Sequence, residues 1–333
     1  MAAMITVQNL SKTFKTPEKE SGLKGSLKSL FARKYLDNKA VDQISFDIAA
    51  GELVGFLGPN GAGKTTTLKM LTGLLHPSGG MAKVMGFTPW ERKNEFRRQY
   101  ALVMGQKNQL WMDLPALESF YLNREIYQIP EGQFRKTLDE LVSLLEVEHV
   151  LKVQVRRLSL GERMKMELIA ALLHNPRVLF LDEPTIGLDI ISQKKIREFL
   201  CRYNQQFGTT ILLTSHYMDD IQALCKRVLI INHGHKVYDG LLEEIVREFS
   251  ADKDLTVTFS EPVEEAAVAR IAPYREFDPV KVSFRIKREQ LTRVISRLLE
   301  EFKVDDLNTT EVDVAEVIAE IFHRSAEETH AEQ

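Results

Sequence analysis

Residues Gly58-Pro59-Asn60-Gly61-Ala62-Gly63-Lys64-Thr65-Thr66 fit the pattern G-x-x-x-x-G-K-[ST]. Such a loop demands a strand before it and a helix after it, and both signals are present. Residues 52–57 read as a short apolar strand, and residues 67–72 as a helix start with Leu68, Leu71 and Leu75 along one side. The glycines let the backbone curl so that successive N–H groups converge on phosphate oxygens at the positive end of the helix. Lys64 is expected to reach the β- and γ-phosphates, and Thr65 to offer its hydroxyl to Mg²⁺. A ligand-free glycine-rich turn is the alternative; all three glycines, the lysine and the threonine in strand–loop–helix context argue against it. The candidate phosphate-binding residues are Gly58, Asn60, Gly61, Ala62, Gly63, Lys64, Thr65 and Thr66. The expected ligand is a nucleoside triphosphate.

At 333 residues the chain has room for two domains, and 44% hydrophobic with 27% charged residues suits a soluble globular protein. Acidic residues and prolines interrupt every apolar run well short of the ~20 residues that span a bilayer. Residues 1–10 lack a basic region followed by an apolar core, so no secretory signal is expected. Cys201 and Cys225 sit in helix-like segments, which argues against a disulfide framework and for a reducing, cytoplasmic setting. The net charge of −3 hides an asymmetry: residues 1–240 hold 32 Lys/Arg against 25 Asp/Glu, and residues 241–333 hold 12 against 22. A basic body suits anionic ligands or membrane headgroups, and the acidic end argues against nucleic acid there.

In chain order, residues 5–10 alternate as a strand and residues 41–48 as a second. Between them a basic insertion, about 15–39, carries seven Lys/Arg and three Asp/Glu. Leu23, Leu27, Leu30 and Phe31 in it fall at helical spacing, with Lys24, Lys28, Arg33 and Lys34 mostly elsewhere on the wheel. This is either a surface helix packed on its own domain or a contact, across residues 23–35, with a membrane surface or a partner. Residues 81–87 read as a strand. From about 90 to 158 the pattern is mainly helical, with helices over 117–127 and 133–146 and another opened by Ser159. Residues 178–182, 210–214 and 228–231 are apolar strands of the kind buried on both faces. Strand–helix alternation then gives a doubly wound α/β core. His233 and His235 invite a metal reading, but a hairpin turn centred on Gly234 accounts for them better. From about 241 a β-α-β-β-α-β order with a closing helix reads as a small ferredoxin-like α+β domain, an accessory unit for docking or dimer stabilisation.

Asp182-Glu183 ends a buried strand downstream of Lys64. There one carboxylate can hold Mg²⁺ and its neighbour can orient or deprotonate an attacking water. Pro184-Thr185-Ile186-Gly187-Leu188-Asp189 follows, Leu158-Ser159-Leu160-Gly161-Glu162-Arg163 precedes, and Leu213-Thr214-Ser215-His216 comes later. In this order and spacing, the motifs of residues 4 to about 240 resemble the ATP-binding subunit of bacterial ATP-binding cassette (ABC) transporters. The resemblance implies a P-loop NTPase core, residues 1–240, with a helical subdomain at about 88–165. It implies ATP and Mg²⁺ as cofactors, and Asp182, Thr65 and Gln106 as metal-site residues. Glu183 would polarise the water and His216 would contact the γ-phosphate. Phe14, or alternatively Tyr35, would stack on adenine. Ser159, Gly161 and Glu162 would close over the ATP of a second copy, and Asp189 would couple the two composite sites. Leu160 and Glu162 stand where glycine and glutamine are usual, and Glu162 brings extra negative charge towards a triphosphate.

The resemblance further implies a separate membrane permease, a head-to-tail second cassette, a peripheral place on the cytoplasmic face of the membrane, and an exporter rather than an importer. A soluble ABC ATPase acting on ribosomes or DNA is the competing reading. The first relatives usually carry two cassettes and the second a long coiled coil; this chain has one phosphate loop and no sustained heptads. If the basic insertion contacts a membrane, reversing the charge of Lys24, Lys28, Arg33 and Lys34 together will weaken flotation of the chain with anionic vesicles. Unchanged flotation would reduce that segment to an ordinary surface helix.

Overall fold

A computed structural model describes residues 3–17, 35–215, 217–249, 252–311 and 314–331. The chain divides into two compact units, one running to Gly240 and the other spanning Leu241–Ala331.

The first unit holds two sheets. An antiparallel sheet runs in the order β2-β1-β4, with β1 at Ala3–Pro17, β2 at Tyr35–Ala49 and β4 at Gly79–Val84. A six-stranded sheet runs β5-β6-β7-β3-β8-β9. Its strands are β3 (Leu53–Leu57), β5 (Tyr100–Met104), β6 (Val178–Asp182), β7 (Thr210–Thr214), β8 (Arg227–Asn232) and β9 (His235–Leu241). Parallel register sets Asp182 beside both Met104 and Thr214, and Phe56 beside Thr214 and Leu229. The strands β3, β6 and β7 therefore end together, and a site at the carboxyl edge of an open parallel sheet follows from that alignment. Val54, Phe56, Val178, Phe180, Leu212, Leu229 and Ile231 are buried in one cluster, which explains their unbroken apolar runs.

Helix α1 (Lys64–Leu71) leaves the glycine-rich loop. The helical block comprises α2 (Ala116–Tyr127), α3 (Glu131–Leu145) and α4 (Leu160–Leu172), with Phe134, Leu138, Leu141, Val142 and Leu145 forming the buried stripe of α3. Helices α5 (Ile190–Phe207) and α6 (Met218–Leu224) follow β6 and β7.

The block from about 90 to 158 is mainly helical as expected, and it also contains the strand β5, which its sequence pattern did not show. That strand is five residues long at a sheet edge, too short to show a period of its own, and pairing with β6 fixes it. The flanks of the basic insertion are also strand: β1 and β2 pair from Ala3↔Ala49 out to Pro17↔Tyr35. Phe14, Lys15 and Leu36 to Lys39 are exposed, so the ladder continues where one-sided burial, and with it the readable alternation, has ended. Leu23, Leu27, Leu30, Phe31, Lys24, Lys28, Arg33 and Lys34 lie outside the described residues. The turn between β8 and β9 is built on His233 and Gly234, with φ of 45° and 83°, the left-handed pair that tight hairpins use. Among the described residues no cluster of potential metal ligands forms and no helix is long and apolar enough to cross a membrane.

The second unit begins with α7 (Leu242–Phe249) and continues β10 (Asp252–Phe259), α8 (Glu265–Ala269), β11 (Glu276–Asp278), β12 (Lys281–Lys287), α9 (Arg288–Glu301), β13 (Val304–Glu311) and α10 (Val314–Ala331). Its antiparallel sheet has the order β11-β12-β10-β13, the ferredoxin-like arrangement. Leu255, Val257, Phe259, Val282, Phe284 and Ile286 point to one face and bury against Val268, Val294 and Leu298. Arg285 bonds Asp254 on the sheet and Glu316 and Glu320 on α10. Phe284 is fully buried, and Phe284→Ala should destabilise this unit by about 3–5 kcal/mol, read as a lowered urea midpoint of its unfolding transition.

Candidate functional site

The glycine-rich loop is shaped by close approaches. A Cβ on Gly63 (φ 107°) would come within 2.4 Å of the Ala40 carbonyl oxygen, while one on Gly61 (φ 81°) would meet nothing within 4 Å. The loop is braced from outside: the Gly234 amide donates to Ala62 O at 3.1 Å, and the Asp42 amide donates to Gly234 O at 2.9 Å. The hairpin of His233 and Gly234 thus supports the loop, a role invisible in its sequence. Helix α1 starts at Gly63 with no side-chain cap and no acidic residue in its first turn. The first-turn amides of Lys64, Thr65 and Thr66 have no i−4 carbonyl within the helix, so its positive end is left for an anion. Lys64 is buried, its Nζ donating to Gly58 O at 2.6 Å and Pro59 O at 3.0 Å. Burial lowers its pKa, against the opposing pull of Glu183 and Asp182.

Asp182 gathers the next residues. Its Oδ2 accepts from Thr65 Oγ1 at 2.9 Å and its Oδ1 from Thr214 Oγ1 at 2.7 Å. Glu183 follows in the left-handed region, φ 56°, a strained conformation for a non-glycine residue, and its amide donates to Thr214 O at 3.0 Å. Gln106 Nε2 donates to Glu183 Oε2 at 3.3 Å. Gly105 permits this: a Cβ there would stand 2.0 Å from Glu183 O, and the Gly105 amide donates to Asp182 O at 2.8 Å. Thr65, Gln106, Asp182 and Glu183 are therefore brought together, beside Lys64. This set of hydroxyl, amide and carboxylate oxygens at the foot of an uncapped helix fits a hard divalent cation with a phosphate ligand.

Ser159, Gly161, Glu162 and Asp189 form a second group. Ser159 caps α4, its Oγ accepting from the Glu162 amide at 3.2 Å, while Glu162 Oε2 accepts from the Ser159 amide at 2.9 Å and hydroxyl at 2.8 Å. Glu162 is held below the usual carboxylate range mainly by these bonds from Ser159. Its extra charge is thus turned back onto its own helix end. Asp189 caps α5 by accepting from Ser192 N at 2.9 Å and Oγ at 2.6 Å. A Cβ on Gly161 would lie 2.3 Å from Ser192 Oγ, so glycine is needed there for packing within this chain as well. Leu160 packs beside Gly187, where a Cβ would sit 3.3 Å from Leu160 Cδ2.

Phe14 lies exposed on β1 opposite Asn38, two residues along β2 from Ala40, with Lys12 Nζ 5.3 Å from its ring centroid. Tyr35 stands five residues from Ala40, paired with Pro17. Asn60 is exposed and Thr66 half-buried. His216 lies outside the described residues. Sequence reading missed a buried hub at Asp220, which is fully inaccessible. It accepts from Ser215 Oγ at 2.7 Å and from Arg197 at 2.9 Å, and it also bonds Thr185. Thr214 and Gly105 were missed too; their roles depend on neighbouring strands rather than on any local pattern.

A family model described as "ABC transporter" matches residues 41–186, and one described as "EvrA-like ABC transporter, C-terminal domain" matches residues 251–310. The chain is 34% identical to the ABC transporter ATP-binding protein NatA of Bacillus subtilis over 232 residues, covering 68% of this chain and 94% of that protein. The chain belongs to the ATP-binding proteins of ABC transporters. It is also 36% identical to the Nod factor export ATP-binding protein I of Burkholderia thailandensis over 62% of this chain and 68% of that one. A solved structure of the ATP-binding subunit of an ABC transporter superposes with a TM-score of 0.61 at 25% identity, covering 74% of this chain and 93% of that one. As a cassette ATPase its cofactors are ATP and Mg²⁺.

The box at the start of α4 gives this cassette a pH signature. The folded-state pKa of Glu162 lies below its unfolded value, so its contribution is present above the unfolded value and is lost as pH falls through the folded one. Glu162→Gln should cost a few tenths to about 1 kcal/mol near neutral pH, for a partly exposed and screened charge at a helix end. Urea titrations should show that difference disappearing as pH falls below the ordinary carboxylate range.

Proposed function

We propose that the chain hydrolyses ATP at the group assembled on Asp182 and uses the energy to drive a separate membrane permease as an exporter. One observation carries the chemistry: Thr65, Gln106, Asp182 and Glu183 share hydrogen bonds beside Lys64 and the uncapped N-terminus of α1. In this reading the loop amides from Gly61 to Thr66, with Gly58, Asn60 and Lys64 Nζ, bind the phosphates. Thr65, Asp182 and Gln106 would hold Mg²⁺, which when bound neutralises charge on the β- and γ-phosphate oxygens. Glu183 orients the attacking water and takes its proton on the carboxylate, the strained backbone fixing where that carboxylate stands. His216 contacts the γ-phosphate. Phe14, nearer than Tyr35 to the loop along the β-ladder, stacks on adenine.

Ser159, Gly161 and Glu162 serve the ATP of a second copy, and Asp189 links the paired sites. ATP drives the switch by binding the closed pair better than the open one. The permease has a surface to meet: Trp111, Leu114, Tyr121, Leu122 and Ile126 are exposed on α2 and the loop before it. Export is favoured by the likeness to the Nod factor export protein. Residues 1–240 are taken as the ATPase domain and 241–333 as the accessory domain, on the peripheral cytoplasmic face of the membrane.

Glu183→Gln should retain ATP and lose hydrolysis by about 10²-fold or more. The tagged variant, purified from membranes in mild detergent, should carry a stoichiometric multi-span protein. Undiminished turnover would remove the catalytic assignment. Recovery with ribosomes or nucleic acid in place of a membrane protein would keep the chemistry and remove the transport role.

A further inference from the structure

We infer that Glu167 is a positioning residue for hydrolysis, holding the loop that carries Gln106 against the helix that begins beyond Ser159. The inference rests on the assignment of Gln106 to the nucleotide site. Glu167 lies on α4 and is 4% exposed. Its Oε1 accepts two backbone amides of that loop, Gln109 N at 2.8 Å and Leu110 N at 3.2 Å. These amides come after β5 has ended at Met104, and Leu110 is itself buried, so the ladder cannot serve them. Gln109 adds a second tie, its Nε2 donating to Leu102 O at 2.6 Å.

Filling space does not account for a carboxylate here. Its other oxygen, Oε2, is buried with no hydrogen-bond partner among the described residues, so an apolar side chain would pack at lower cost if packing were the only need. What the carboxylate supplies is one acceptor for two neighbouring backbone donors, that of buried Leu110 and that of Gln109 beside it, at a fixed distance from the helix axis. The loop is short and is held at its other end by the Gly105 amide on Asp182 O and by Gln106 on Glu183. Only two residues, Lys107 and Asn108, separate Gln106 from Gln109. Any shift at Glu167 therefore reaches Gln106 almost undamped, although Glu167 touches no substrate.

Steady-state ATPase kinetics on the full chain test this with Glu167→Asp, Glu167→Gln, Gln106→Ala and the two double variants with Gln106→Ala. Aspartate keeps the charge and withdraws the acceptor by one methylene; glutamine keeps the acceptor and removes the charge. Glu167→Asp should lower kcat by about tenfold or more, with KM for ATP and far-UV dichroism nearly unchanged. Glu167→Gln should stay within about threefold of the unmodified chain. In the Gln106→Ala background Glu167→Asp should cost nothing further, because both changes act through one loop. The inference is overturned by unchanged kcat in Glu167→Asp, by losses that multiply in the double variant, or by loss in Glu167→Gln equal to that in Glu167→Asp. Unchanged kcat in Gln106→Ala would overturn both this inference and the role of Gln106 on which it rests. A loss in Gln106→Ala alone would leave that role standing and remove only the inference.

Discussion

The site depends on one carboxylate that serves several strands at once. Asp182 closes β6, accepts from Thr65 at the foot of α1 and from Thr214 at the end of β7, and offers its carbonyl to Gly105 beyond β5. Each bond exists because parallel register brings those strand ends level. Slipping a strand by one residue would rotate the side chains to the other face and break the group. The apolar core beneath therefore acts as an alignment device. Val178, Phe180, Leu212 and Leu213 are buried without interruption, and the polar residues appear only where the strands end.

Helix ends divide the labour. Helix α1 begins without a side-chain cap, whereas α4 and α5 begin with side-chain caps from Ser159 and Asp189. The first-turn donors are thus all left to an anion in one place, while in the others a side chain already takes the amide of Glu162 or of Ser192. Gly161 lets the two capped ends approach until the helices share Ser192 and Asp189 as neighbours. Asp220 ties the same region together, its fully buried carboxylate joining Thr185, Ser215 and the half-buried Arg197.

Much of this was legible in sequence because it is local. The glycine spacing, the Lys64-Thr65 pair and the Asp182-Glu183 strand end are contiguous patterns, whereas the capping box from Ser159 to Glu162 went unread and Glu162 was expected to face a triphosphate. The arrangement of the second unit was also readable, since alternate residues of β10 and β12 are apolar. What stayed hidden depends on partners far along the chain. Strand β5 is defined by β6, and the outer ladder of β1 and β2 has no buried face to impose a pattern. Gly105 looks like any loop glycine until Glu183 O is placed against it. Asp220 looks like an ordinary acidic residue in the first turn of α6 until Arg197 and Thr185 arrive.

The capping box has a thermodynamic side. With Glu162 folded onto the Ser159 amide and hydroxyl, the positive end of α4 already holds an anion, covalently tethered and at high effective concentration. Any phosphate approaching that end meets an internal competitor instead of an open pole. In the proposed pairing, the triphosphate of a second copy would therefore meet a helix end whose positive pole is already partly offset, and its affinity there would be set by geometry as much as by charge.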